Sequence, residues 1–417
     1  MKILLSAYAC APNIGSEPGI AWNFANMLSQ NPDYQVTVLT REVNRERIEG
    51  YFAETPQPEN LDFWYYDMPD WVHTWWETAS IFEHIYYYLW QYFVARHVKG
   101  SLAEKEFDLI HHITLGVFRT PSYLGGKGVP FVFGPVGGGE KAPFRLLKGV
   151  PRSGMIKDLV RHWVNVISSF HPGLKKTFRQ SDLILCKTSE TQAFVPKRYH
   201  DKCEIALELG IPEGRGATER SLGRSAKKLL YVGRLEYWKG IHLAIQAFAK
   251  LKDIHPDLEF TIIGGGRDEA WLKAQADAYG VGDSVEWIAR VPQEVLFQMY
   301  QDYDLLFFPS MHDSSGGAVL ESLHFGLPVV CLDLGGPKEI LDENSGLVVS
   351  TENKSEPEVV EGLVGAVDRV VKDPALFEAL QVGAQARSKG FRWPEVVRNM
   401  YQLIERRVLN SEPKVRA

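Results

Sequence analysis

Two carboxylates, Asp313 and Glu321, stand eight positions apart in the second half of the sequence. Asp313 lies in a polar loop after the apolar run 305–308, and Glu321 lies one turn inside the apolar-periodic segment 318–325. This order predicts a strand, a loop and a helix, with both carboxylates facing one cleft. Carboxylates accept hydrogen bonds from hydroxyl groups, so we interpret Glu321 as a ribose anchor and Asp313 as a contact to sugar hydroxyls. A helix-surface carboxylate is the alternative for Glu321, although its leucine neighbours predict partial burial and a partner.

Flexible backbone separates the two carboxylates. The first N–H groups of a helix have no partner within it, and together they form a site for anions. We therefore expect four N–H groups to hold phosphate or sugar oxygens, those of Ser315, Gly316, Gly317 and Ala318.

Two cations follow an earlier apolar run. The segment 228–232 predicts a strand, and Arg234 and Lys239 lie on the loop before the next helix. Arginine binds phosphate through two parallel N–H donors and lysine acts as a point charge, so this pair can clamp a pyrophosphate. Solvated surface charge is the alternative interpretation.

The first half of the chain offers a loop and a histidine pair. Gly15-Ser16-Glu17-Pro18-Gly19 opens the first predicted helix, either as a loop that approaches a phosphate or sugar or as an ordinary capped turn. His111 and His112 end a strand, where alternation turns one imidazole into the cleft and the other into the core. A hydrogen-bonded structural histidine is an equal alternative for either one.

Two further patterns resemble known sites but lack a required feature. Asp302-Tyr303-Asp304 matches the D-x-D pattern with which some transferases bind a divalent metal, but it precedes its strand and so lies at the wrong end of the sheet. Gly264-Gly265-Gly266-Arg267 follows a strand without G-x-G-x-x-G spacing or an acidic residue on the next strand. We expect neither pattern to form the site that it resembles.

Short apolar strands alternate with helical segments in both halves of the chain. Two series of βα units predict an α/β protein with two doubly wound, Rossmann-like domains, and with substrate in the cleft between them. The polar segment 210–225 is the expected boundary. The predicted strands are 3–7, 35–39, 109–112, 131–133, 183–186, 228–232, 259–263, 304–308 and 329–332, and the main helices 20–28, 189–194, 242–251, 269–279, 294–300 and 318–325.

Composition excludes several classes of protein. A chain of 417 residues predicts two domains, and its net charge of −6 argues against a nucleic-acid binder. Four cysteines without C-x-x-C spacing predict buried, reduced thiols. The first residues predict a strand rather than a signal peptide, and no stretch is long and apolar enough to span a membrane. We therefore expect a soluble, cytoplasmic protein.

Two segments of the first half depart from the βα pattern. Residues 63–93 hold fourteen aromatic residues, and residues 141–180 hold nine Lys or Arg against one acidic residue, Asp158. Such side chains favour an anionic membrane surface, so one interpretation is a peripheral membrane face or an acceptor-binding surface. The other is a packed helical insertion with a solvated basic side.

Taken together, these residues resemble those of the retaining, GT-B-fold glycosyltransferases of family four, over essentially the whole chain. The resemblance is most specific at 234–240, at Asp313-x7-Glu321 and at Leu327-Pro328-Val329-Val330…Gly335-Gly336-Pro337-Lys338-Glu339. Family members carry Glu-x7-Glu where this chain has Asp313-x7-Glu321. They carry Gly-Phe-Gly-Leu where this chain has Ser314-Ser315-Gly316-Gly317. A bacterial polysaccharide and glycolipid subgroup is similar in the first half, at 15–19, His112, 119–122 and 134–139.

The resemblance implies a domain plan and an activity. An acceptor-binding domain, residues 1–209, would be joined by a returning C-terminal helix, about 393–417, and residues 210–392 would hold the nucleotide sugar. The implied reaction moves a hexose, with glucose as our best guess, from a UDP-sugar to a saccharide or lipid-linked saccharide hydroxyl in polysaccharide biosynthesis, with retention. It implies no metal and no cofactor beyond the donor itself, and a place at the inner face of the plasma membrane.

The resemblance also implies roles for individual residues. Catalytic roles fall to Arg234, Lys239 and Asp313, and to His112, which would position the sugar or the acceptor. The donor-binding set comprises Gly15, Ser16, Arg234, Lys239, Arg290, Val291, Asp313, Ser315, Gly316, Gly317, Ala318 and Glu321. Three alternatives stay open: a sugar-nucleotide epimerase on the same fold, a dinucleotide-binding oxidoreductase and a catalytically idle scaffold.

Overall fold

The computed structural model describes residues 1–68, 80–104, 107–212 and 225–410. Its strands are β1 Lys2–Ser6, β2 Gln35–Thr40, β3 Leu61–Tyr65, β4 Leu109–His112, β5 Phe131–Val136, β6 Leu183–Cys186, β7 Cys203–Ile205, β8 Lys228–Val232, β9 Glu259–Ile263, β10 Val285–Ile288, β11 Leu305–Phe308, β12 Val329–Leu332 and β13 Gly346–Val349. Its α-helices are α1 Ser16–Ser29, α2 Arg45–Glu54, α3 Ser80–His97, α4 Lys99–Glu104, α5 Arg152–Ser169, α6 Pro172–Gln180, α7 Ser189–Gln192, α8 Ile241–Ile254, α9 Glu269–Ala278, α10 Gln293–Met299, α11 Gly317–His324, α12 Gly335–Ile340, α13 Glu356–Lys372, α14 Pro374–Lys389 and α15 Trp393–Ile404.

The strands form two parallel sheets, which confirms the predicted α/β class. The seven-stranded sheet has the order β3-β2-β1-β4-β5-β6-β7, and the six-stranded sheet has the order β10-β9-β8-β11-β12-β13. Central strands such as β11 are buried along their whole length, since helices cover both faces of a parallel sheet. This double burial is why their sequences are continuous apolar runs.

Each sheet changes its direction of growth once. The first sheet grows from β1 through β2 to β3 and then resumes with β4 on the other side of β1. The second does the same, with β11 beside β8. A crevice opens beyond the carboxyl ends of such a strand pair, where α/β proteins bind ligands.

Four strands were not predicted, namely β3, β7, β10 and β13, and they are the outermost strands of the two sheets. An edge strand has a neighbour on one side only and is less fully buried, so its sequence need not be continuously apolar. In β10, for example, only Val285 is fully buried. The prediction failed where burial, the physical source of the pattern, is weakest.

The chain divides into two compact units. The first comprises Met1–Gly139, Val164–Gly210 and Trp393–Ala417, and the second comprises Glu140–Trp163 and Ile211–Arg392. The sequence analysis had assigned residues 140–163 to the first domain. Most of the predicted boundary segment lies outside the described residues.

Residues 140–163 belong to the second unit because they pack against its strand-end loops. His312 Nε2 lies 3.1 Å from the Ala142 nitrogen and 3.0 Å from Asp158 Oδ1. An added Cβ at Gly154 would lie 2.8 Å from the Tyr237 ring. Such long-range partners leave no trace in the local sequence pattern.

Aromatic side chains build much of the first unit's core. In α3, Tyr86, Tyr87 and Trp90 are buried, and Trp90 packs edge-on against Tyr8 at 5.2 Å. The described part of the aromatic segment 63–93 thus contributes three residues to the core, and most of its other aromatic residues are partly buried. Three of its tryptophans, Trp71, Trp75 and Trp76, lie outside the described residues.

The C-terminal helix α15 also packs within the first unit. Its Tyr401 hydroxyl lies 3.1 Å from His111 Nδ1, and its Trp393 ring packs edge-on against Phe24 at 6.2 Å. The last α-helix of the chain therefore packs within the unit that contains the first strand, β1.

All four cysteines are buried and none forms a disulfide, as the sequence predicted. No helix in the described parts of the chain combines the length and the apolar composition needed to cross a bilayer.

Gly240 gives a direct test of the second unit's geometry. It has φ of +68°, and an added Cβ would lie 1.9 Å from the Pro309 carbonyl oxygen. We expect Gly240→Ala to lower the free energy of unfolding by about 2 kcal/mol in a denaturant titration. Gly365, inside α13 with open space around it, is the matched control, and Gly365→Ala should raise stability by about 0.5 kcal/mol. Equal effects of the two substitutions would contradict the structure.

Candidate functional site

A buried ion pair joins the two loops that follow β8 and β11. Lys239 ends the 3-10 turn Tyr237–Lys239 after β8, and Asp313 lies in the loop after β11. Their Nζ and Oδ2 atoms are 2.5 Å apart, and Lys239 is 8% exposed. Two of the residues that the sequence predicted for catalysis thus meet at the crevice of the second sheet.

The Asp313 carboxylate also organises its own loop. Its Oδ1 accepts the N–H groups of Ser315 at 3.2 Å and Gly316 at 2.8 Å. Burial alone would raise the pKa of Asp313, but the Lys239 ammonium and the two N–H donors outweigh it and lower that pKa. The carboxylate is therefore ionised and accepts at least three hydrogen bonds at neutral pH.

This arrangement corrects one expectation for the loop. The N–H groups of Ser315 and Gly316 were expected to hold phosphate or sugar oxygens, but they bind Asp313 Oδ1. A short carboxylate at this position folds back onto its own backbone as in an Asx turn. Gly317 and Ala318, in the first turn of α11, have no acceptor within the helix for their N–H groups and keep the expected geometry.

A glycine pair holds the Asp313 loop from the other side. The Gly336 N–H donates to the Asp313 carbonyl oxygen at 2.7 Å. Gly335 has φ of +65°, and a Cβ there would lie 2.3 Å from the same oxygen. Only glycine permits this approach of the α12 N-terminus to the loop.

Glu321 is partly buried and has two side-chain partners. Its Oε1 accepts from Gln293 Nε2 at 3.0 Å, and its Oε2 accepts from the Tyr300 hydroxyl at 3.2 Å. Burial raises the pKa of Glu321, and these two hydrogen bonds only partly offset the effect. Arg290 and Val291 lie in the loop between β10 and α10, immediately before Gln293, so their loop joins the Glu321 site.

Arg234 lies at the exposed rim of the same loop system. Its guanidinium carbon is 5.7 Å from the centroid of the Trp238 ring, and it forms no ion pair with a carboxylate among the described residues. The neighbouring Arg267, by contrast, pairs with Glu236 at 2.7 Å. Arg234 therefore offers an uncompensated cation beyond the end of β8.

The glycine-rich segment after β9 supports this loop. The Leu235 N–H donates to the Gly265 carbonyl oxygen at 3.1 Å, and a Cβ on Gly264 would lie 1.9 Å from the Gly233 carbonyl oxygen. Asp268 Oδ2 accepts the Tyr237 N–H at 2.8 Å. The glycines thus allow two loops to pack closely, a structural role that positions Arg234 and Lys239.

His312, next to Asp313 in sequence, links the site to residues 140–163. Its ring is nearly buried, and Nε2 lies 3.1 Å from the Ala142 nitrogen and 3.0 Å from Asp158 Oδ1. This contact fixes the backbone immediately before the Asp313 carboxylate. Asp158, the lone acidic residue of the basic segment, is therefore a structural partner of the site.

The two histidines of β4 are both buried in the first unit. His111 Nε2 bonds the Gly134 carbonyl oxygen at 2.8 Å, and His112 Nε2 lies 3.2 Å from the Tyr87 hydroxyl. Burial lowers the pKa of His111 to about 4 and that of His112 to about 3, where His111 adds to the effect, so both are neutral at physiological pH. His112 Nδ1 has no hydrogen-bond partner in the structure. His111 is a structural histidine, while His112 keeps a free ring nitrogen at the crevice of the first sheet.

The Gly15 loop lies at that same crevice, after β1. Ser16 has φ of +63°, and the space around Gly15 is open. Glu17 Oε2 accepts the Leu115 N–H at 2.9 Å and its Oε1 lies 3.6 Å from Lys187 Nζ, which also pairs with buried Glu208 at 2.5 Å. A buried charge cluster therefore anchors the loop.

The D-x-D pattern has a structural role at its second carboxylate. Asp304 is fully buried at the start of β11, where Oδ2 accepts the N–H groups of Lys227 and Lys228 at 2.7 and 2.9 Å. Within the described residues, no three His, Cys, Asp or Glu side chains are grouped so as to hold a metal ion.

Several residues that hold the predicted site residues were missed from the sequence. They are Gln293, Tyr300, His312 and Asp158 in the second unit, and Lys187 in the first. One signal was available, because a buried tyrosine requires a partner for its hydroxyl and Tyr300 falls on a predicted helix. A single acid within a basic segment was another. Neither signal identifies the partner residue, because only the tertiary fold brings the two residues together.

The opposite pKa shifts of the two carboxylates predict opposite effects on stability. Lowering the pKa of Asp313 stabilises the fold above the ordinary value of 3.8, whereas raising that of Glu321 costs stability as pH rises above 4.5. At pH 7, Asp313→Asn should lower the free energy of unfolding by about 2 kcal/mol, since it leaves Lys239 unpaired. Glu321→Gln should leave it equal or higher.

Denaturant titrations at pH 7 and near pH 4 provide the measurement. The deficit of Asp313→Asn should shrink at the lower pH, because Asp313 of the unfolded chain begins to take up a proton near its ordinary pKa of 3.8 while the folded carboxylate stays ionised. A loss for Glu321→Gln as large as that for Asp313→Asn would contradict the described electrostatics.

Comparison with known proteins shows what the second half of the chain resembles. Residues 219–402 match the family model described as glycosyl transferases group 1. The chain is 33% identical over 249 residues to glycogen synthase from Mycobacterium tuberculosis, covering 58% of this chain and 57% of that protein. It is 28% identical over 244 residues to D-inositol 3-phosphate glycosyltransferase from Corynebacterium urealyticum, covering 54% of this chain and 56% of that protein. The chain thus spans a little over half the length of these relatives.

Solved structures share the fold along the whole chain. One is trehalose-6-phosphate from E. coli bound with UDP-2-fluoro glucose, with a TM-score of 0.61 over 99% of this chain and 100% of that chain, at 11% identity. At this identity the likeness concerns the fold alone. The chain therefore has the GT-B fold, and residues 219–402 are similar to the group 1 glycosyl transferases.

Proposed function

We propose that the protein is a retaining glycosyltransferase that moves glucose from UDP-glucose to a hydroxyl of a saccharide or glycolipid acceptor in polysaccharide biosynthesis. One observation carries the proposal. At the crevice of the second sheet, the Lys239–Asp313 pair, the α11 N-terminus and the Glu321 carboxylate lie on the loops after β8 and β11. The family match and a structural neighbour that binds a UDP-glucose analogue support this choice of donor.

The donor's two polar ends fit different parts of this site. Glu321 would bind the ribose, because each of its oxygens has one protein donor and a lone pair left for a hydroxyl. Arg234 and Lys239 would bind the pyrophosphate, helped by the N–H groups of Gly317 and Ala318 at the positive end of α11. Asp313 has one Oδ2 lone pair left to accept a sugar hydroxyl, which makes it a candidate for donor selection.

The proposed reaction needs no covalent enzyme intermediate. The bond between the anomeric carbon and the β-phosphate oxygen breaks, and the acceptor oxygen bonds to that carbon on the same face. The departing phosphate takes the acceptor's proton. Preorganised cations and N–H donors stabilise the charge that develops on the phosphate, which is the main electrostatic requirement of the step.

We also propose a saccharide or lipid-linked acceptor and peripheral contact with an anionic membrane through residues 141–180. This segment carries nine Lys or Arg, and its one acidic residue, Asp158, is held by His312. Basic residues near an anionic bilayer each strengthen attachment.

Arg234→Ala tests the pyrophosphate assignment without disturbing the fold. Arg234 is exposed and has no carboxylate partner among the described residues, so we expect unchanged unfolding and about 30-fold weaker UDP-glucose binding by calorimetric titration. Lys273→Ala, which removes an exposed cation from α9, is the matched control and should bind like wild type. Equal affinity of Arg234→Ala and wild type would refute the assignment.

Metal independence follows from the same cations. Because Arg234 and Lys239 supply the positive charge opposite the pyrophosphate, transfer should keep full activity in EDTA. Strict dependence on a divalent metal would contradict this expectation and return attention to Asp302.

The activity itself is tested with UDP-glucose and a panel of saccharide acceptors. A transferase releases free UDP at a rate that rises with acceptor, and the product retains the anomeric configuration of the donor by NMR. An epimerised sugar nucleotide without UDP release would favour the epimerase alternative, and an inverted product would refute retention.

A further inference from the structure

Helix α5 turns an apolar face to solvent. Ile156 is 61% exposed, Trp163 56%, Ile167 67% and Phe170, just past the helix end, 67%. Their spacing of three to seven positions places them on one side of the helix. Three further exposed apolar residues widen this face: Leu159, Val160 and Val164. We name these seven residues the α5 face.

The opposite side of the helix is held by the protein. Asp158 bonds His312, and Gly154 packs against the Tyr237 ring. Positions 154 and 158 lie across the helix from 156 and 163 at 100° per residue. Polar and packing contacts on the reverse side of α5 therefore set the orientation of the α5 face. The face is exposed although the helix is held against the protein.

Basic residues occur in the helix that carries the face and just before it in sequence. The exposed cations of α5 itself are Arg152 and Lys157, and Lys141, Arg145 and Lys148 precede the helix. Between residues 141 and 180 the sole acid is Asp158, which points inward to His312. Two copies of such a face would bring like charges together, which disfavours self-association. An anionic partner suits both the charge and the apolar area.

We propose that the α5 face docks on an anionic lipid bilayer, lying in its plane with Ile156, Trp163 and Ile167 inserted at the headgroup boundary. This inference rests on the membrane contact proposed above and names the surface that makes it. An in-plane helix requires an apolar side, a tryptophan for the interface and flanking cations. The residues from 156 to 170 extend about 21 Å, enough to lie along a bilayer surface.

Co-sedimentation with phosphatidylcholine vesicles, with and without phosphatidylglycerol, tests the proposal. The full chain should bind only the vesicles with phosphatidylglycerol, and high salt should weaken binding. Ile156→Gln with Trp163→Gln should weaken it about tenfold or more. Val382→Gln is the control, since Val382 is 55% exposed on a different helix, α14, and should change nothing.

Charge is tested in the same assay. Lys157→Gln should weaken vesicle binding about fivefold. The control Lys389→Gln, an exposed cation of α14, should not. UDP-glucose affinity should be unchanged in every variant, so a failure of vesicle binding is distinguishable from a failure of the donor site.

Three outcomes would overturn the proposal: no vesicle binding by the wild-type chain, equal binding with and without phosphatidylglycerol, or a dimer in sedimentation analysis that Trp163→Gln abolishes.

Discussion

The Lys239–Asp313 ion pair is the interaction on which the candidate site depends. It joins the loops after β8 and β11, the two neighbouring strands at which the second sheet changes its direction of growth. Removing two charges from water is costly, and the N–H donors of Ser315 and Gly316 help to compensate Asp313. The same carboxylate thus neutralises Lys239 and shapes the loop that begins α11. A ligand phosphate that reaches Lys239 must share or replace this partner, so donor binding and loop order are physically coupled.

Most of the fold could be predicted because buried positions are occupied by apolar residues, which are visible in the sequence. The central strands of both sheets are covered on two faces and appear as apolar runs, so their positions were predicted to within three residues at either end. The four edge strands were not, because β3, β7, β10 and β13 lack a neighbour on one side. The assignment of residues 140–163 failed for another reason. It depends on contacts from Ala142 and Asp158 to His312, about 150 positions away, which no local pattern encodes.

The candidate site could likewise be predicted only in part. Residue type and spacing brought out Arg234, Lys239, Asp313 and Glu321, and the structure places the last three on loops or helices of one crevice. What the sequence did not reveal is how each is held. Asp313 folds onto its own backbone, and Glu321 takes Gln293 and Tyr300 as partners. Lys239 and the N–H donors lower the pKa of Asp313, whereas burial raises that of Glu321 and its two hydrogen bonds only partly offset the effect.

The central claim is that the second unit binds the nucleotide of a UDP-sugar at this crevice. A crystal structure of the complex with UDP tests it most directly. We expect ribose hydroxyls within hydrogen-bonding distance of Glu321 and the diphosphate on Arg234 and Lys239. UDP bound elsewhere, or bound with its ribose away from Glu321 and the Lys239–Asp313 pair untouched, would contradict it.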